Sequence, residues 1–501
     1  MGRVGPRPGP MALRHGGVTL KPVLNYINGA FVPAGKGEVL SDVNPATGEV
    51  ITTIPRSDGD DVRAAVAAAN VARTAWASTS LEHRIAWLHR IADALESKAE
   101  RIASLESMDT GKPIGLARRV DAARSVSNFR FFADHVSELD TPTFVSNNAV
   151  NHVHRSPVGC VGLITPWNLP LYLLSWKVAP ALLMGNTIVA KPSELTPLTA
   201  NLLAEVLDDL GLPPGVFNLV HGLGPEVGQP LVEHPNVHAV SFTGGTATGK
   251  LVAATAAPMF KKLSLELGGK NATLVLDDAP IEDIVSEVVK ASFTNSGQVC
   301  LCGSRILVHE SIKARFVEAF VRTVETLNVG LPELEETDMG SLVSLEHRTK
   351  VEHYIRLGLE EGGRVLTGGV SAEAPVAGTP ARGAFLRPTV IDDLPIDARC
   401  ATEEIFGPVV TLHTFTTDDE AIAMTNRTDY GLAGSIWTAD PERGKRLAQQ
   451  IESGIVWVNT WLNRDLRTPF GGMKQSGVGR EGGRWSLDFF SELTNICVQQ
   501  P

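Results

Sequence analysis

The strongest constraint on the fold is the texture of the chain beyond residue 159. Short apolar runs that end in turn residues alternate there with stretches long enough for helices. VGLI, TIVA, FNLV and HAVSF lie between residues 161 and 242, and a second series extends from ATLVL (272–276) to GIVWVN (454–459). Such alternation is typical of βαβ units and parallel sheets. We therefore expect an α/β protein with two doubly wound parallel sheets, preceded by a helix over residues 61–110.

Charge and hydropathy argue against several classes of partner. The formal net charge of -11 disfavours nucleic acid and anionic membrane surfaces, which select basic faces. No apolar run approaches the ~18 residues of a membrane-spanning helix. Residues 1–20 are rich in Gly and lack the apolar segment of a secretory signal, so we expect a disordered leader there.

The cysteines raise a question of chemistry. Five scattered cysteines in a long chain are typical of a reducing, cytoplasmic environment. Two of them, Cys300 and Cys302, lie together in GQVCLCGSR (297–305). Zinc is disfavoured because a second Cys/His pair at ligand spacing is missing. Cys300 is either a buried, inert thiol, which is the commoner case, or a nucleophile on a turn whose backbone N–H helps to bind an oxyanion.

Glycine-rich turns indicate nucleotide binding. GLGPEVG (222–228), which contains the candidate contact Gly224, and SFTGGTATG (241–249) each follow a predicted strand and precede a helix. Backbone N–H groups at a helix start suit a pyrophosphate, although a tight strand-to-helix turn explains each motif equally well. Lys191 and Glu194 follow another strand end, where ligands bind in open α/β sheets. A carboxylate there suits a ribose diol and favours NAD over NADP; the alternative is a solvated helix N-terminus.

Three further motifs supply reactive or polar side chains. LELGGKN (265–271) contains Glu266 beside a glycine pair, PWNLP (166–170) contains Asn168, and EEIFGPV (403–409) contains an acid next to an aromatic residue. A thiol, a carboxylate base and an amide donor in a nucleotide-binding fold are the components of thiol-mediated aldehyde oxidation.

Taken together, FTGG, LELGGKN, GQVCLCGSR, PWNLP and EEIFGPV resemble the motifs of the NAD(P)-dependent aldehyde dehydrogenase superfamily. The resemblance extends from YINGAFV (26–32) to PFGGMKQSGVGREGG (469–483). It implies that Cys300 is the nucleophile, Glu266 the general base and Asn168 the oxyanion donor. It also implies contacts with NAD from Lys191, Glu194, Trp167, Gly244, Glu404 and Phe406. Gly245 departs from the family, which often has Ser or Glu there, so a pyrophosphate contact at this point would be through the backbone.

The resemblance implies a covalent mechanism without a metal. The Cys300 thiolate attacks the aldehyde carbon, and Asn168 and the Cys300 backbone N–H hold the oxyanion. Hydride passes to NAD, and Glu266 activates the water that hydrolyses the resulting thioester. Cys302 is then a structural or spectator thiol, with a redox partnership with Cys300 as the alternative.

The substrate is indicated by arginines. WLNRDLRTPFGG (461–472) and SLDFFSELTN (486–495) resemble the branch that acts on 2-hydroxymuconic and 2-aminomuconic semialdehydes in the breakdown of aromatic rings. The family builds its substrate tunnel around Arg464 and Arg124, and a buried Arg needs an anion, so both are predicted to hold a substrate carboxylate. Salt bridges at the surface or between domains are the alternative. The rival functions are a broad aliphatic or betaine-type aldehyde dehydrogenase, a CoA-acylating variant and a non-catalytic NAD-binding relative.

The resemblance also implies a domain organisation. A Rossmann-like NAD-binding domain is expected at residues 21–135 and 158–267, and a catalytic domain at 268–469. Residues 136–157 and 483–501 are expected to form a small β element through which a homodimer or homotetramer assembles.

Overall fold

The computed structural model describes residues 13–15, 18–136, 141–370 and 376–500. The strands are β1 (Leu13–His15), β2 (Val18–Leu20), β3 (Asn25–Ile27), β4 (Ala30–Val32), β5 (Val39–Val43), β6 (Val50–Pro55), β7 (Thr143–Ser146), β8 (Ala149–Pro157), β9 (Cys160–Ile164), β10 (Thr187–Lys191), β11 (Phe217–Leu219), β12 (Ala239–Thr243), β13 (Lys262–Glu266), β14 (Asn271–Val275), β15 (Gly303–His309), β16 (Arg364–Thr367), β17 (Thr389–Asp392), β18 (Val409–Phe415), β19 (Tyr430–Gly431), β20 (Ala433–Trp437), β21 (Ile455–Val458), β22 (Met473–Lys474), β23 (Gly477–Val478) and β24 (Ser491–Gln499). The α-helices are α1 (Gly59–Ala77), α2 (Leu81–Glu96), α3 (Ala99–Thr110), α4 (Ile114–Ala117), α5 (Ala123–His135), α6 (Pro170–Leu183), α7 (Leu198–Asp209), α8 (Gln229–Glu233), α9 (Thr246–Ala256), α10 (Ile281–Phe293), α11 (Lys313–Glu325), α12 (Leu345–Glu360), α13 (Arg399–Thr402), α14 (Asp418–Asn426), α15 (Pro441–Ala448) and α16 (Gly483–Phe489).

The first large sheet has the order β23-β13-β12-β9-β10-β11-β3-β4. Its five central strands, β13, β12, β9, β10 and β11, are parallel, and β3, β4 and β23 add antiparallel edges. The chain starts the parallel part at β9, adds β10 and β11 on one side, and then crosses to add β12 and β13 on the other. This is the doubly wound order: successive strands are added first on one side of β9 and then on the other, so the strand order reverses between β9 and β12.

Helices cover both faces of this sheet. In β10, Ile188 and Ala190 pack into a core with Leu174 of α6, whereas Val189 packs into a second core with Val62 of α1. The strand is therefore apolar on both sides, which explains why TIVA reads as a continuous apolar run rather than an alternating one.

The second large sheet has the order β16-β17-β18-β15-β14-β20-β21, and its strands are parallel except for the edge strand β16. Its faces are also covered on both sides: Ile306 and Leu307, neighbours in β15, pack into different cores. The predicted α/β fold with two doubly wound parallel sheets is thus confirmed. The predicted domain boundaries stay a prediction.

A third sheet, of order β24-β8-β7, stands apart from the other two and is antiparallel. β8 and β24 pair along their whole length, from Ser491 opposite Pro157 to Gln499 opposite Ala149. Apolar side chains remain exposed on it, among them Phe144, Val145 and Ile496.

The helical region before residue 111 differs from the expectation in one respect. The predicted helix at 61–110 is divided into α1, α2 and α3. Ser80 begins α2, because its hydroxyl accepts a hydrogen bond from the His83 N–H and so caps a new helix. The predicted stop is confirmed: Gly111 ends α3 in the left-handed conformation, with φ of 76°.

The described part of the amino-terminal segment contains two short strands. β1 and β2 pair as a short antiparallel hairpin, so this part of the predicted disordered leader has regular backbone. Residues 1–12, 16 and 17 of that leader lie outside the described residues. Among the described helices, none has the length and apolar character needed to cross a bilayer.

Core packing of β9 generates a stability prediction. Leu163 is fully buried in the central strand, so Leu163→Ala should lower the free energy of unfolding by about 2–5 kcal/mol, from lost burial and an unfilled cavity. Val71, on α1, is 85% exposed. Val71→Ala should therefore change the free energy of unfolding by less than about 0.5 kcal/mol. Urea unfolding followed by circular dichroism measures both. Equal losses for the two variants would contradict this description of the core.

Candidate active site

A cavity of about 310 Å³ lies where the strand order of the first sheet reverses. The segments that follow β9 and β12 line it, through Asn168 and through Gly244 and Gly245. Ligands of open α/β sheets bind at such a point, beyond the carboxyl ends of the strands. Cys300 and Glu266 line the same cavity. The structure therefore brings the three predicted catalytic residues together.

The two large sheets are joined at this cavity by a very short connection. Glu266 is the last residue of β13 and Asn271 the first of β14, so only residues 267–270 separate these two strands, and the chain returns to the first sheet between β21 and β23. Gly268 packs against Glu404: a Cβ at Gly268 would lie 2.1 Å from Glu404 Oε2. The glycine pair of LELGGKN thus leaves room for the Glu404 carboxylate, whose Oε1 accepts a hydrogen bond from the Gly269 N–H at 2.9 Å.

Cys300 lies on a loop without regular secondary structure, yet the loop carbonyls are hydrogen-bonded. The Gln298 carbonyl accepts from Asn168 Nδ2 at 2.9 Å, and the Leu301 carbonyl accepts from Trp461 Nε1 at 3.0 Å. Asn271 Nδ2 donates to the carbonyls of Cys300 and Cys302, at 2.7 and 2.9 Å. Side chains from several parts of the chain therefore replace the backbone partners that a helix or strand would supply.

The turn before this loop has an unusual backbone. Asn295, Ser296 and Gly297 have φ values of 53°, 55° and 70° in succession. Left-handed conformation is costly for residues other than glycine and persists where the surroundings enforce it. Here the Ser296 hydroxyl donates to the Gly340 carbonyl at 3.0 Å, and Asn295 Nδ2 donates to the Asn168 carbonyl at 3.2 Å. These bonds hold the turn that leads into Cys300.

The charges around Cys300 and Glu266 disfavour ionisation of both in the isolated protein. Burial, and then the carboxylates of Glu404 and Glu266, raise the pKa of the Cys300 thiol, and Arg464 opposes this change. Burial and then Glu481 raise the pKa of Glu266 well above its ordinary value, while Lys177 and Arg464 lower it. Neither oxygen of Glu266 has a hydrogen-bond partner among the described residues. The thiol and the acid are thus stored largely in their neutral forms.

A buried ion pair lies behind Glu266. Lys177 Nζ contacts Glu481 Oε1 at 2.6 Å and donates to the Ser241 hydroxyl at 2.7 Å. Lys177 is almost wholly buried in α6, and Glu481 also lines the cavity. Both groups act on the ionisation of Glu266 through their charges: Glu481 raises its pKa and Lys177 lowers it.

A second buried cation supports Asn168. Lys112 Nζ donates to the Asn168 backbone carbonyl at 3.1 Å and to Asp121 Oδ1 at 2.8 Å. Glu106 Oε2 lies 3.7 Å from the same ammonium. The Asn168 amide has two N–H donors, and one is occupied by the Gln298 carbonyl. The main chain of Asn168 is fixed while one of its side-chain donors is left for a ligand.

The predicted cofactor residues follow the carboxyl edge of the first sheet. Strands β12, β9, β10 and β11 are neighbours in this order. Gly244 follows β12, Trp167 follows β9, and Gly224 follows β11. Lys191 is the last residue of β10. Trp167 and Gly244 line the cavity together with Glu404 and Phe406. Trp167 meets Phe406 edge to face, with ring centroids 5.3 Å apart.

Lys191, Glu194 and Gly224 do not line the cavity but lie further along the same edge. Lys191 is buried, and its Nζ contacts Glu194 Oε2 at 2.7 Å. Glu194 retains a partly exposed side chain, and Gly224 is exposed at the start of a π-helical turn, Gly224–Gly228. These three residues therefore share the carboxyl edge of the first sheet with the cavity but are not part of its lining.

Two arginines meet on one aromatic ring. The guanidinium carbons of Arg464 and Arg124 lie 4.8 and 5.4 Å from the centroid of Trp176. Arg464 also packs on Phe470 at 4.0 Å, and Arg124 on Tyr172 at 5.2 Å. Arg464 lines the cavity, whereas Arg124 lies directly behind its aromatic lining. Burial is the main reason that the pKa of Arg124 is lowered to about 10; Tyr172 opposes this change and Arg464 adds to it.

Cys302 faces away from the cavity. It packs in the core of the second sheet with Val299, and its Sγ lies 3.8 Å from the Thr294 carbonyl. Burial raises its pKa to about 12. These surroundings favour the interpretation of Cys302 as a structural thiol.

Sequence reasoning missed several residues of the site. Lys177 had a usable signal, since a lysine inside the apolar segment WKVAPALL needs a buried partner. Tyr172 and Trp176 are one helical turn apart on α6, but apolar helix residues are usually core. Gly245, left out because of its departure from the family pattern, lines the cavity and precedes α9. Asn271 had no signal, since its partners lie 29 and 31 residues away.

Known proteins resemble this chain over nearly its whole length. The sequence model described as "Aldehyde dehydrogenase family" matches residues 31–496. The chain is 45% identical to 2-aminomuconic semialdehyde dehydrogenase of Mus musculus, covering 95% of this chain and 98% of that protein. It is 44% identical to 2-hydroxymuconic semialdehyde dehydrogenase of Pseudomonas sp. (strain CF600), covering 96% and 100%. The structure of betaine aldehyde dehydrogenase from Staphylococcus aureus with NAD+ is similar at a TM-score of 0.92 and 37% identity, covering 95% and 94%.

The electrostatics of Cys300 generate a prediction for the cofactor-free protein. Because its pKa is raised, alkylation of Cys300 by iodoacetamide should accelerate with pH to at least about pH 9. Glu404→Gln removes the largest charge contribution to that pKa and should speed alkylation at pH 8 about threefold or more. Mass spectrometry of the peptide 291–305 measures the rate. The matched control, Glu403→Gln, should alkylate like wild type, and equal rates for the two variants would contradict the assignment.

Proposed function

The chain belongs to the aldehyde dehydrogenase family, and on that premise we propose that it oxidises a carboxylate-bearing semialdehyde to the dicarboxylic acid, with NAD as hydride acceptor. The substrate class is that of its relatives, 2-aminomuconic and 2-hydroxymuconic semialdehyde, from the breakdown of aromatic rings. One observation carries the choice of substrate: two half-buried arginines, Arg464 and Arg124, lie beside the cavity that contains Cys300, and each has a buried guanidinium nitrogen without a hydrogen-bond partner among the described residues.

Arg464 offers a complete edge for a carboxylate. Its Nη1 is 3.5 Å from the Tyr172 hydroxyl, whereas Nε and Nη2 are buried and have no hydrogen-bond partner among the described residues. Nε and Nη2 are the adjacent donors that bind a carboxylate in a bidentate manner. Leaving them unpaired in a buried site is costly, so the site is suited to an anionic ligand.

Arg124 offers less. Asn128 Oδ1 accepts a hydrogen bond from Arg124 Nε at 2.8 Å, which leaves Nη2 as the buried donor without a partner. Within the described residues, neither Arg124 nor Arg464 forms a salt bridge. We therefore assign Arg464 as the bidentate contact and Arg124 as a single donor that adds positive potential.

The carboxyl edge of the first sheet is suited to NAD. Helix α9 begins after Gly245, which lines the cavity, and it has no side-chain cap, so the start of this helix suits a pyrophosphate. Lys191 and Glu194 would contact the adenosine ribose, and Glu404 the nicotinamide ribose. Bound there, NAD supplies the hydride acceptor for the reaction.

The side chains perform the remaining steps. Cys300 attacks the aldehyde carbon, and the Asn168 amide and the Cys300 backbone N–H stabilise the oxyanion. After oxidation, the acyl group is held on Cys300 as a thioester. Glu266 takes a proton from the water that attacks this thioester, and the charges of Lys177 and Glu481 adjust the pKa of this base. Hydrolysis releases the acid and regenerates the thiol.

The rival substrates fit this cavity less well. Betaine aldehyde carries a positive charge, which the two arginines would repel. A simple aliphatic aldehyde would leave the Arg464 donors unpaired. Glu266 supports release of the thioester to water rather than to CoA, and the grouping of Cys300, Glu266 and Asn168 supports an active enzyme over a non-catalytic relative.

We further propose that the protein is a cytoplasmic homo-oligomer. The sheet β24-β8-β7 exposes Phe144, Val145, Leu493, Ile496 and Val498, a set of apolar side chains that a second copy would cover. The five cysteines are all free, which is typical of a reducing compartment.

Removing the bidentate donor tests the substrate class. With 2-hydroxymuconic semialdehyde, Arg464→Ala should lower kcat/KM by about 100-fold or more, and Arg124→Ala by less, because only Arg464 offers two adjacent donors. Arg464→Lys should restore little, since an ammonium cannot reproduce the planar fork. NADH formation is measured with the semialdehyde and with propanal.

Arg467 provides the matched control. It is exposed, three residues away, and paired with Asp465, so Arg467→Ala should keep the wild-type preference. A preference of wild type for propanal or betaine aldehyde, or an Arg464→Ala variant with unchanged selectivity, would refute the proposed substrate.

The pH profile tests the role of Glu266. Glu481 raises the pKa of Glu266 and Lys177 lowers it. The general base must be ionised, so the rising limb of kcat against pH should move to lower pH in Glu481→Gln and to higher pH in Lys177→Met, each by about half a unit or more. Shifts in the same direction, or none, would contradict a base at Glu266.

A further inference from the structure

Asn271 contacts the backbone carbonyl of the nucleophile and that of the residue two positions after it. Its side-chain nitrogen donates to the carbonyl of Cys300 at 2.7 Å and to that of Cys302 at 2.9 Å, so both of its N–H donors are used. Its Oδ1 accepts from the Ala433 N–H at 3.0 Å. Asn271 is 4% exposed. One buried amide thus joins the loop of Cys300 to the first residue of β20.

The local backbone is arranged around this amide. The pairing of β14 with β15 shifts register between Asn271 and Ala272, as in a β-bulge, a feature that redirects side chains near functional sites. Gly269 admits the close approach, because a Cβ there would lie 2.7 Å from Asn271 Oδ1 and 3.1 Å from the Cys300 carbonyl oxygen. The GGKN part of LELGGKN therefore brings the amide against the loop.

We propose that Asn271 is the positioning residue of the nucleophile: by holding the Cys300 and Cys302 carbonyls, it fixes the direction in which the Cys300 side chain leaves the backbone. The inference rests on the proposed function, in which Cys300 attacks the aldehyde. Asn271 does not line the cavity and acts through Cys300. Misplacing an attacking atom slows the chemical step more than it weakens binding.

A second asparagine provides a structural match. Asn218 Nδ2 donates to the carbonyls of Ile188 and Gly215, at 3.1 and 2.9 Å, and its Oδ1 accepts from the Asn28 N–H at 3.0 Å. It is fully buried in β11. The hydrogen bonds are of the same kind and number as those of Asn271, but they do not touch the loop of Cys300.

The experiment compares the two positions in the full-length protein. Asn271→Asp keeps size and the acceptor for Ala433 but cannot donate, and Asn271→Ser is neutral and too short to reach both carbonyls. Asn218→Asp and Asn218→Ser make the same changes elsewhere. For each variant, one measures Tm, kcat and KM with the semialdehyde, and the rate of Cys300 alkylation by iodoacetamide, in which sulfur displaces iodide, across pH.

The Asn271 variants and the Asn218 variants should all have a lower Tm than wild type. In the Asn271 variants, kcat should also fall about 100-fold with little change in KM. Alkylation of Cys300 in these variants should slow about tenfold across the pH range. The Asn218 variants should keep kcat and alkylation within about twofold of wild type. Equal kinetic losses at both positions would overturn the proposal and leave Asn271 a structural residue. If Asn271→Asp does not fold, Asn271→Ser decides.

The alkylation rate separates this proposal from the proposed function. If wild-type protein oxidises no semialdehyde, the proposed function fails. The comparison of Cys300 alkylation between Asn271→Ser and Asn218→Ser still shows whether Asn271 orients the thiol, and equal rates refute it.

Discussion

The active site depends on hydrogen bonds from side chains to the backbone of the loop that contains Cys300. A loop between a helix and a strand has no ladder to satisfy its carbonyls, and buried carbonyls without partners are costly. Asn168 follows the first sheet, Asn271 begins the second, and Trp461 follows its edge strand; each donates to this loop. The position of the nucleophile therefore depends on side chains from both sheets.

The same burial that fixes the loop sets its electrostatics. Burial raises the pKa of both the Cys300 thiol and the Glu266 carboxyl, and so favours the neutral form of each. Positive charge is supplied nearby by Arg464, and behind the site by Lys177 and Lys112, each of which is paired with an acid. Arg464, like Arg124, differs from these lysines, since it has buried guanidinium nitrogens without a hydrogen-bond partner among the described residues. This difference is the basis for proposing a carboxylate-bearing substrate.

Much of this arrangement was accessible from the sequence. Apolar runs such as TIVA predict buried parallel strands, and the family, the α/β fold and the presence of Cys300, Glu266 and Asn168 in one cavity agree with the motif analysis. The spacing of apolar residues did not predict that the helix expected at 61–110 is divided. The start of α2 is determined by the Ser80 cap, which this spacing does not reveal. The roles of Asn271 and of the Lys177–Glu481 pair were not predicted either. Their contacts join residues 29 and 304 positions apart, and such contacts produce no periodic pattern in the sequence. The roles of the individual residues stay predictions.

In the proposed reaction, Cys300 carries the acyl group of a semialdehyde and Glu266 releases it. Mass spectrometry of a Glu266→Gln variant, mixed with NAD and 2-hydroxymuconic semialdehyde in a single turnover, tests both roles at once. We expect one equivalent of NADH and an acyl adduct on Cys300 within the peptide 291–305, stable for long enough to be isolated. NADH formation without an adduct, or an adduct on Cys302, would contradict it.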